Sequence, residues 1–147
     1  ERAAGERLAH GLERFRRPRG PLHGFVAPAW LMGEGTRRVL ADSGLTYTSD
    51  PSHLYLLPDF TPLVAPGLVW SARSAWRRGV SWLVSERQLR QSRQAPLLRL
   101  GLHPVDMRHE FSRRYWLDVL ERMLRDGRTP LTKIDWLRQY RQTSAVA

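Results

Sequence analysis

The chain has 147 residues, the size of one ordinary domain and enough to bury a core, and it holds no cysteine, which excludes a disulfide framework and a thiolate zinc site. It carries no run of 18 apolar residues and no secretory leader pattern, so no membrane partner is expected and a cytoplasmic location is the default. The net charge of +10 invites a nucleic-acid partner, but the basic residues are 23 arginines and the single Lys133, dispersed along polar faces of predicted helices; no specific nucleic-acid binding is expected.

In residues 2–17, Ala4, Leu8, Leu12 and Phe15 form one apolar helical stripe, which Pro18, Gly20 and Pro21 end. Gly24-Phe25-Val26-Ala27 reads as a short strand running into Pro28-Ala29-Trp30. A second helix is predicted over 34–42 and closes at Gly44. The β formers of 45–49 end in the turn signal Asp50-Pro51. Strands are expected at 53–57 and 62–70, the second at an edge or irregular because of Pro62 and Pro66. A long helix is predicted over 72–92, with Trp76, Val80, Leu83 and Val84 on its buried face. Residues 97–103 read as a buried strand that ends on His103 and is stopped by Pro104. The clearest helix covers 110–125, with Trp116, Val119, Leu120, Met123 and Leu124 as its core stripe and Gly127 as its stop. A short strand at 130–132 and a helix at 133–142 complete the order.

Alternation of this kind argues for an α/β sheet or barrel with parallel neighbours, whose carboxyl strand ends share one rim. Three such ends carry marked residues: Ala27-Pro28-Ala29-Trp30, Ser49-Asp50 and Leu102-His103-Pro104. Folds of this class place their chemistry there, although a histidine can also merely cap a strand. His103, Asp106 and His109 are three apart, but a loop led by Pro104 does not present them on one face and no fourth ligand is evident. His10 and His53 read as packing or solvated groups, and His23 lies just before the first marked strand. No Gly-rich phosphate loop, serine nucleophile elbow or kinase signature is present.

Gly24-Phe25-Val26-Ala27-Pro28-Ala29-Trp30, Gly44-Leu45-Thr46-Tyr47-Thr48-Ser49-Asp50 and Leu100-Gly101-Leu102-His103-Pro104 resemble the third, fourth and fifth motifs of the polysaccharide deacetylase (NodB-homology) family. The segments Val64-Ala65-Pro66-Gly67-Leu68-Val69-Trp70 and Leu131-Thr132-Lys133-Ile134-Asp135-Trp136-Leu137 resemble an uncharacterised bacterial branch of it. The resemblance implies a distorted seven-stranded (β/α) barrel, of which this chain would be the C-terminal part. It also implies metal-dependent removal of an acetyl group from a carbohydrate or related amide, with a divalent metal, usually zinc, as cofactor. By the same resemblance His103 is the general acid and Pro28 with Ala29 is the oxyanion loop. Trp30 is a wall of the substrate groove, and Asp50 with Tyr47 are supporting groups. Trp30 and Trp70 are then candidates for stacking on sugar, with packing an equal alternative for Trp70.

The departures are specific. Val26 stands where the family carries an arginine that holds the catalytic carboxylate, and Thr48 stands where an acid is frequent. No Asp-Asp pair and no His-x-x-x-His pair exists in the chain, so the base and the metal ligands of the first two motifs are missing. The expectation is therefore no complete metal site and no hydrolase activity in this chain alone. A non-catalytic relic that binds glycan or a protein partner is the alternative. An incomplete barrel would also expose a sheet edge and invite self-association.

Overall fold

The structure is a computed structural model; it describes residues 2–19, 21–69 and 75–144. Trp70 and the side chains of Ala4 and Trp76 lie outside the described residues. The chain divides into two compact units, Glu1–Pro66 and Gly67–Ala147. Among the described residues no helix is long and apolar enough to cross a membrane.

The first unit contains helix α1 (Arg2–Arg19), strand β1 (Gly24–Phe25), helix α2 (Glu34–Ala41) and strands β2 (Tyr47–Ser49), β3 (His53–Leu56) and β4 (Thr61–Val64). Its sheet runs β1-β2-β3-β4, with β1 parallel to β2 and the other neighbours antiparallel. Leu40, Leu45 and Leu57 form the buried centre, and Leu8, Leu12, Phe25 and Phe60 pack against it. The apolar stripe of α1 is thus used at Leu8 and Leu12, while Phe15 remains exposed. Helix α2 stops where Gly44 takes a φ of 70°, a left-handed conformation that glycine adopts without penalty. Ser43 fastens this exit, its hydroxyl donating to the Leu40 carbonyl at 2.7 Å and accepting from the Leu45 amide at 3.2 Å. Pro62 sits in β4, the edge strand, where a missing N–H costs no ladder bond.

The second unit contains strands β5 (Gly67–Val69) and β6 (Arg99–Gly101), joined through helix α3 (Ala75–Gln91), followed by helices α4 (Glu110–Arg125) and α5 (Lys133–Ser144). The two strands are parallel and pair with each other. Leu68, Leu89, Tyr115, Trp116 and Val119 make the core, with Leu98, Leu100 and Met123 packed against it. The face expected to bury on α3 is not the one that does. Val80, Leu83 and Val84 are exposed, whereas Ser85 and Leu89 are buried. Apolar residues lie on several sides of α3, so its spacing does not single out one face; Gln88, donating to the Gly67 carbonyl at 3.0 Å, helps fix the face turned to β5. On α4, Trp116 and Val119 are buried as expected and Leu124 is exposed. The expected strand at 130–132 is instead the entry to α5. There the Thr132 hydroxyl accepts from the Asp135 amide at 3.2 Å and donates to the Asp135 carboxylate at 2.6 Å, a capping arrangement.

The expected distorted (β/α) barrel is overturned. The described strands form a four-stranded mixed sheet and a separate two-stranded parallel sheet, and neither closes on itself. Connection length is the reason. Residues 50–52 join β2 to β3 and residues 57–60 join β3 to β4, far too few for the crossover that a parallel pair requires. Both pairs are therefore antiparallel hairpins. Parallel pairing survives only where a helix lies between the strands, α2 for β1–β2 and α3 for β5–β6. The expected strand 62–70 is likewise divided at Ala65-Pro66, β4 joining one sheet and β5 the other.

The core of the second unit has a pH signature. Burial, with the Glu86 carboxylate as second cause, pushes the Tyr115 phenol up to about 12. A tyrosine in the unfolded chain titrates near ~10, so the folded state keeps its proton between those two values. The associated stability is complete below the unfolded value and is lost as pH rises through the folded one, by roughly 2–3 kcal/mol. Burial raises Tyr47 in the same direction, and Tyr55 is raised chiefly by its bond to Asp50. Urea melts taken at about pH 9 and about pH 12 should show this loss in the wild type, and a much smaller one in Tyr115→Phe.

Candidate functional site

In the first unit the parallel pairing of β1 and β2 brings two of the three marked strand ends to one edge of the sheet. After β1 the chain enters a 3-10 turn at Pro28–Trp30. Ala27 is extended, and then Ala29 (φ 51°, ψ 21°) and Trp30 (φ 57°) both take left-handed conformations. For residues with a Cβ this costs roughly 1–2 kcal/mol each, and such strain is concentrated at ligand-handling loops. The Trp30 amide donates to the Ala27 carbonyl at 2.9 Å and the Leu31 amide to the Pro28 carbonyl at 3.1 Å. Trp30 is 37% exposed. Val26, between β1 and this turn, is exposed.

After β2, Asp50 closes the turn into β3. One carboxylate oxygen accepts from the amides of Ser52 and His53, both at 2.7 Å, and the other accepts from the Tyr55 hydroxyl at 2.6 Å. The His53 ring lies 3.6 Å from the first oxygen. Partial burial alone would raise the Asp50 carboxyl. The bonds from Tyr55, His53 and Ser52, together with the His53 ring, bring it below the ordinary carboxylate range. A carboxylate so engaged is a turn-closing group and a poor proton acceptor. The Arg37 guanidinium stands over the rings of Tyr55 and Phe60, 5.7 and 4.9 Å from their centroids, and extends this polar cluster. Tyr55 and Arg37 carried no signal in the sequence, because α2 and the turns on either side of β3 bring their partners to them only in the fold. Tyr47 is half-buried on β2, and its ring lies so close to Gly24 that a Cβ there would collide with it. Thr48 and Ser49 are buried, and their hydroxyls have no hydrogen-bond partner among the described residues.

His103 belongs to the second unit, two residues beyond β6, so the three marked ends do not share one sheet. Its side chain is exposed and its backbone is held at both ends. The His103 amide donates to the Asp106 carboxylate at 2.9 Å, and the Asp106 amide returns a bond to the His103 carbonyl at 2.9 Å. Asp106 is fully buried, and its carbonyl accepts from the Ser112 hydroxyl at 2.6 Å, which ties the turn to the first coil of α4. Asp106, which the sequence presents only as one of a spaced set, fixes the backbone of this turn. Its signal was present: proline directly after His103 and aspartate three residues on mark a tight turn.

Among the described residues no three of His, Asp and Glu lie close enough together to hold a metal ion. The spaced set His103, Asp106 and His109 is part of a turn in which the Asp106 carboxylate accepts from the His103 amide. No protein-family model matches the chain, and neither a curated protein nor a solved structure is significantly similar to it.

Proposed function

We propose that this chain supplies the proton-donating side of a deacetylase acting on acetylated carbohydrate or a related amide, with the carboxylate base and the metal ligands contributed by residues outside these 147. The observation that carries the reading is the His103 turn. His103, exposed two residues beyond β6, has its backbone held by the buried Asp106 carboxylate, which accepts from the His103 amide. Histidine is the side chain best suited to hold and release a proton near neutral pH, and fixing its backbone lowers the entropy of presenting it. In the proposed step the imidazolium gives its proton to the departing nitrogen or oxygen as the bond to the acyl carbon breaks.

The strained Pro28–Trp30 turn supports the reading separately. Pro28 has no N–H, and the amides of Trp30 and Leu31 close the turn, so a donor to a developing oxyanion falls to Ala29. Self-association is part of the same proposal: among the described residues β5 and β6 each pair on one side only, which leaves ladder groups for a second copy. Sedimentation of the isolated chain should then show a mass that rises with concentration; a monomer at every concentration removes that part.

Acetate release from acetylated chito-oligosaccharides tests the division of labour. The 147-residue chain should release none, and the reading frame that contains it should encode an Asp-Asp pair and a His-x-x-x-His pair upstream. Turnover by this chain alone, or a frame without those pairs, contradicts the proposal. The exposed Val26 favours a second reading, a non-catalytic glycan binder. That reading predicts glycan binding without acetate release even when the complete frame is expressed.

A further inference from the structure

Helix α3 turns a stripe outward that the core of its unit does not use. Val80, Leu83, Val84 and Arg87 recur at i, i+3, i+4 and i+7, the spacing that sets side chains on one side of a helix, and all four are exposed. Arg90, seven residues after Leu83, is exposed on the same side. Trp82 is exposed at the margin of the stripe. The other side of α3 carries Ser85 and Leu89, which are buried. Two anchors fix this rotation. Gln88 donates to the Gly67 carbonyl at 3.0 Å, and Glu86 accepts from Arg122 on α4 at 2.7 and 3.2 Å. Turning the stripe inward would break both.

The stripe is apolar at one end and basic at the other, and among its described residues there is no acid. Glu86, the acid next to it in sequence, is engaged by Arg122. Val80, Leu83 and Val84 together leave roughly 300 Å² open, well under the about 800 Å² per partner of a standard protein interface. A second copy on this face would add further arginines and no acid, on a chain whose net charge is already +10. An anionic lipid surface meets both ends of the stripe. Its headgroups pair with the guanidinium groups, the boundary below them takes up the apolar side chains, and it needs no matching contour.

We propose that the outward face of α3 docks on an anionic lipid bilayer, with the helix lying in the plane of the surface. Val80, Leu83 and Val84 enter the boundary between headgroups and acyl chains, and Arg87 and Arg90 meet the anionic headgroups. Trp82 lies at headgroup level, where an amphipathic ring is favoured. A face of this kind rests on a membrane and does not cross it, so the lack of a spanning run does not bear on it. The proposal is independent of the hydrolase reading and uses none of its residues.

Co-sedimentation with vesicles tests it, at roughly 0.15 M ionic strength so that attraction by distant charge is screened. The vesicles are phosphatidylcholine alone and phosphatidylcholine with an equal part of phosphatidylserine. The expected result is saturable binding to the mixed vesicles, more than about tenfold tighter than to the neutral ones. Leu83→Gln keeps every charge and should weaken binding about tenfold, the effect of withholding one leucine from the bilayer. Leu117→Gln, exposed to a similar degree on α4, should leave it unchanged. Arg87→Gln should weaken binding about fivefold, and Arg113→Gln on α4 by much less. If Leu83→Gln does not fold, Val84→Gln should show the same loss. No binding to the mixed vesicles, or binding that Leu83→Gln and Leu117→Gln weaken alike, overturns the proposal, the second result being adsorption by net charge alone. A rise of mass with concentration that Leu83→Gln abolishes also overturns it, because the stripe then belongs to a second copy.

Discussion

Trp116→Ala is expected to unfold the second unit or bring it close to unfolding. Trp116 is 1% exposed and stands at the centre of the core with Leu68, Leu89 and Val119. It meets Tyr115 edge-on, with ring centroids 5.9 Å apart. Truncating a buried tryptophan to alanine removes its transfer free energy and leaves a cavity that the surroundings fill only in part, a loss of about 3–5 kcal/mol. Whole domains are stable by only about 5–15 kcal/mol, so this one change consumes much of the margin. Trp116→Phe should be far milder. It keeps a ring in the core and removes an indole N–H that has no hydrogen-bond partner among the described residues, whose burial is itself unfavourable. Leu117→Ala, one residue along the same helix but 54% exposed, should change stability by no more than about 0.5 kcal/mol. Urea melts of the three variants check the order; equal losses for Trp116→Ala and Leu117→Ala would mean that α4 buries a different face.

His103→Ala, in the longest reading frame that contains these residues, is expected to lower acetate release about 10²–10⁴-fold, the usual contribution of a positioned general acid. The fold should not change, because His103 is exposed and the bonds that hold the turn are made by its backbone. The loss should fall on kcat rather than on KM, since a proton donor acts in the transition state and little in binding. Asp106→Asn keeps an oxygen to accept the His103 amide and should retain more activity than Asp106→Ala, which removes the acceptor. A purely structural His103 would leave turnover near its original level.

The helices were largely legible in the sequence, and three of their ends have a local physical cause. Gly44 and Gly127 end α2 and α4 in left-handed conformations, and Thr132 with Asp135 opens α5. The sheets were legible as strands but not as a topology. Alternation suggested parallel neighbours, while the three-residue link after Ser49 and the four-residue link after Leu56 already required hairpins. The buried face of α3 was not legible, since Val80, Leu83 and Val84 compete with Leu89 around the helix and tertiary contacts choose between them. At the candidate site, His103 and the Pro28–Trp30 turn stood out through proline and through their places after strands. Asp50 was visible as a turn residue, but its bond from Tyr55 depends on how β2 and β3 pair.

The pH dependence of kcat/KM for acetate release, measured on the complete reading frame with and without His103, bears most directly on the proposed role of this side chain. A general acid must be protonated to act, so the wild type should lose activity on the alkaline side. His103→Ala should be slow at every pH and lack that alkaline limb. A variant that keeps the wild-type limb, or the wild-type rate, contradicts the assignment of the proton to His103.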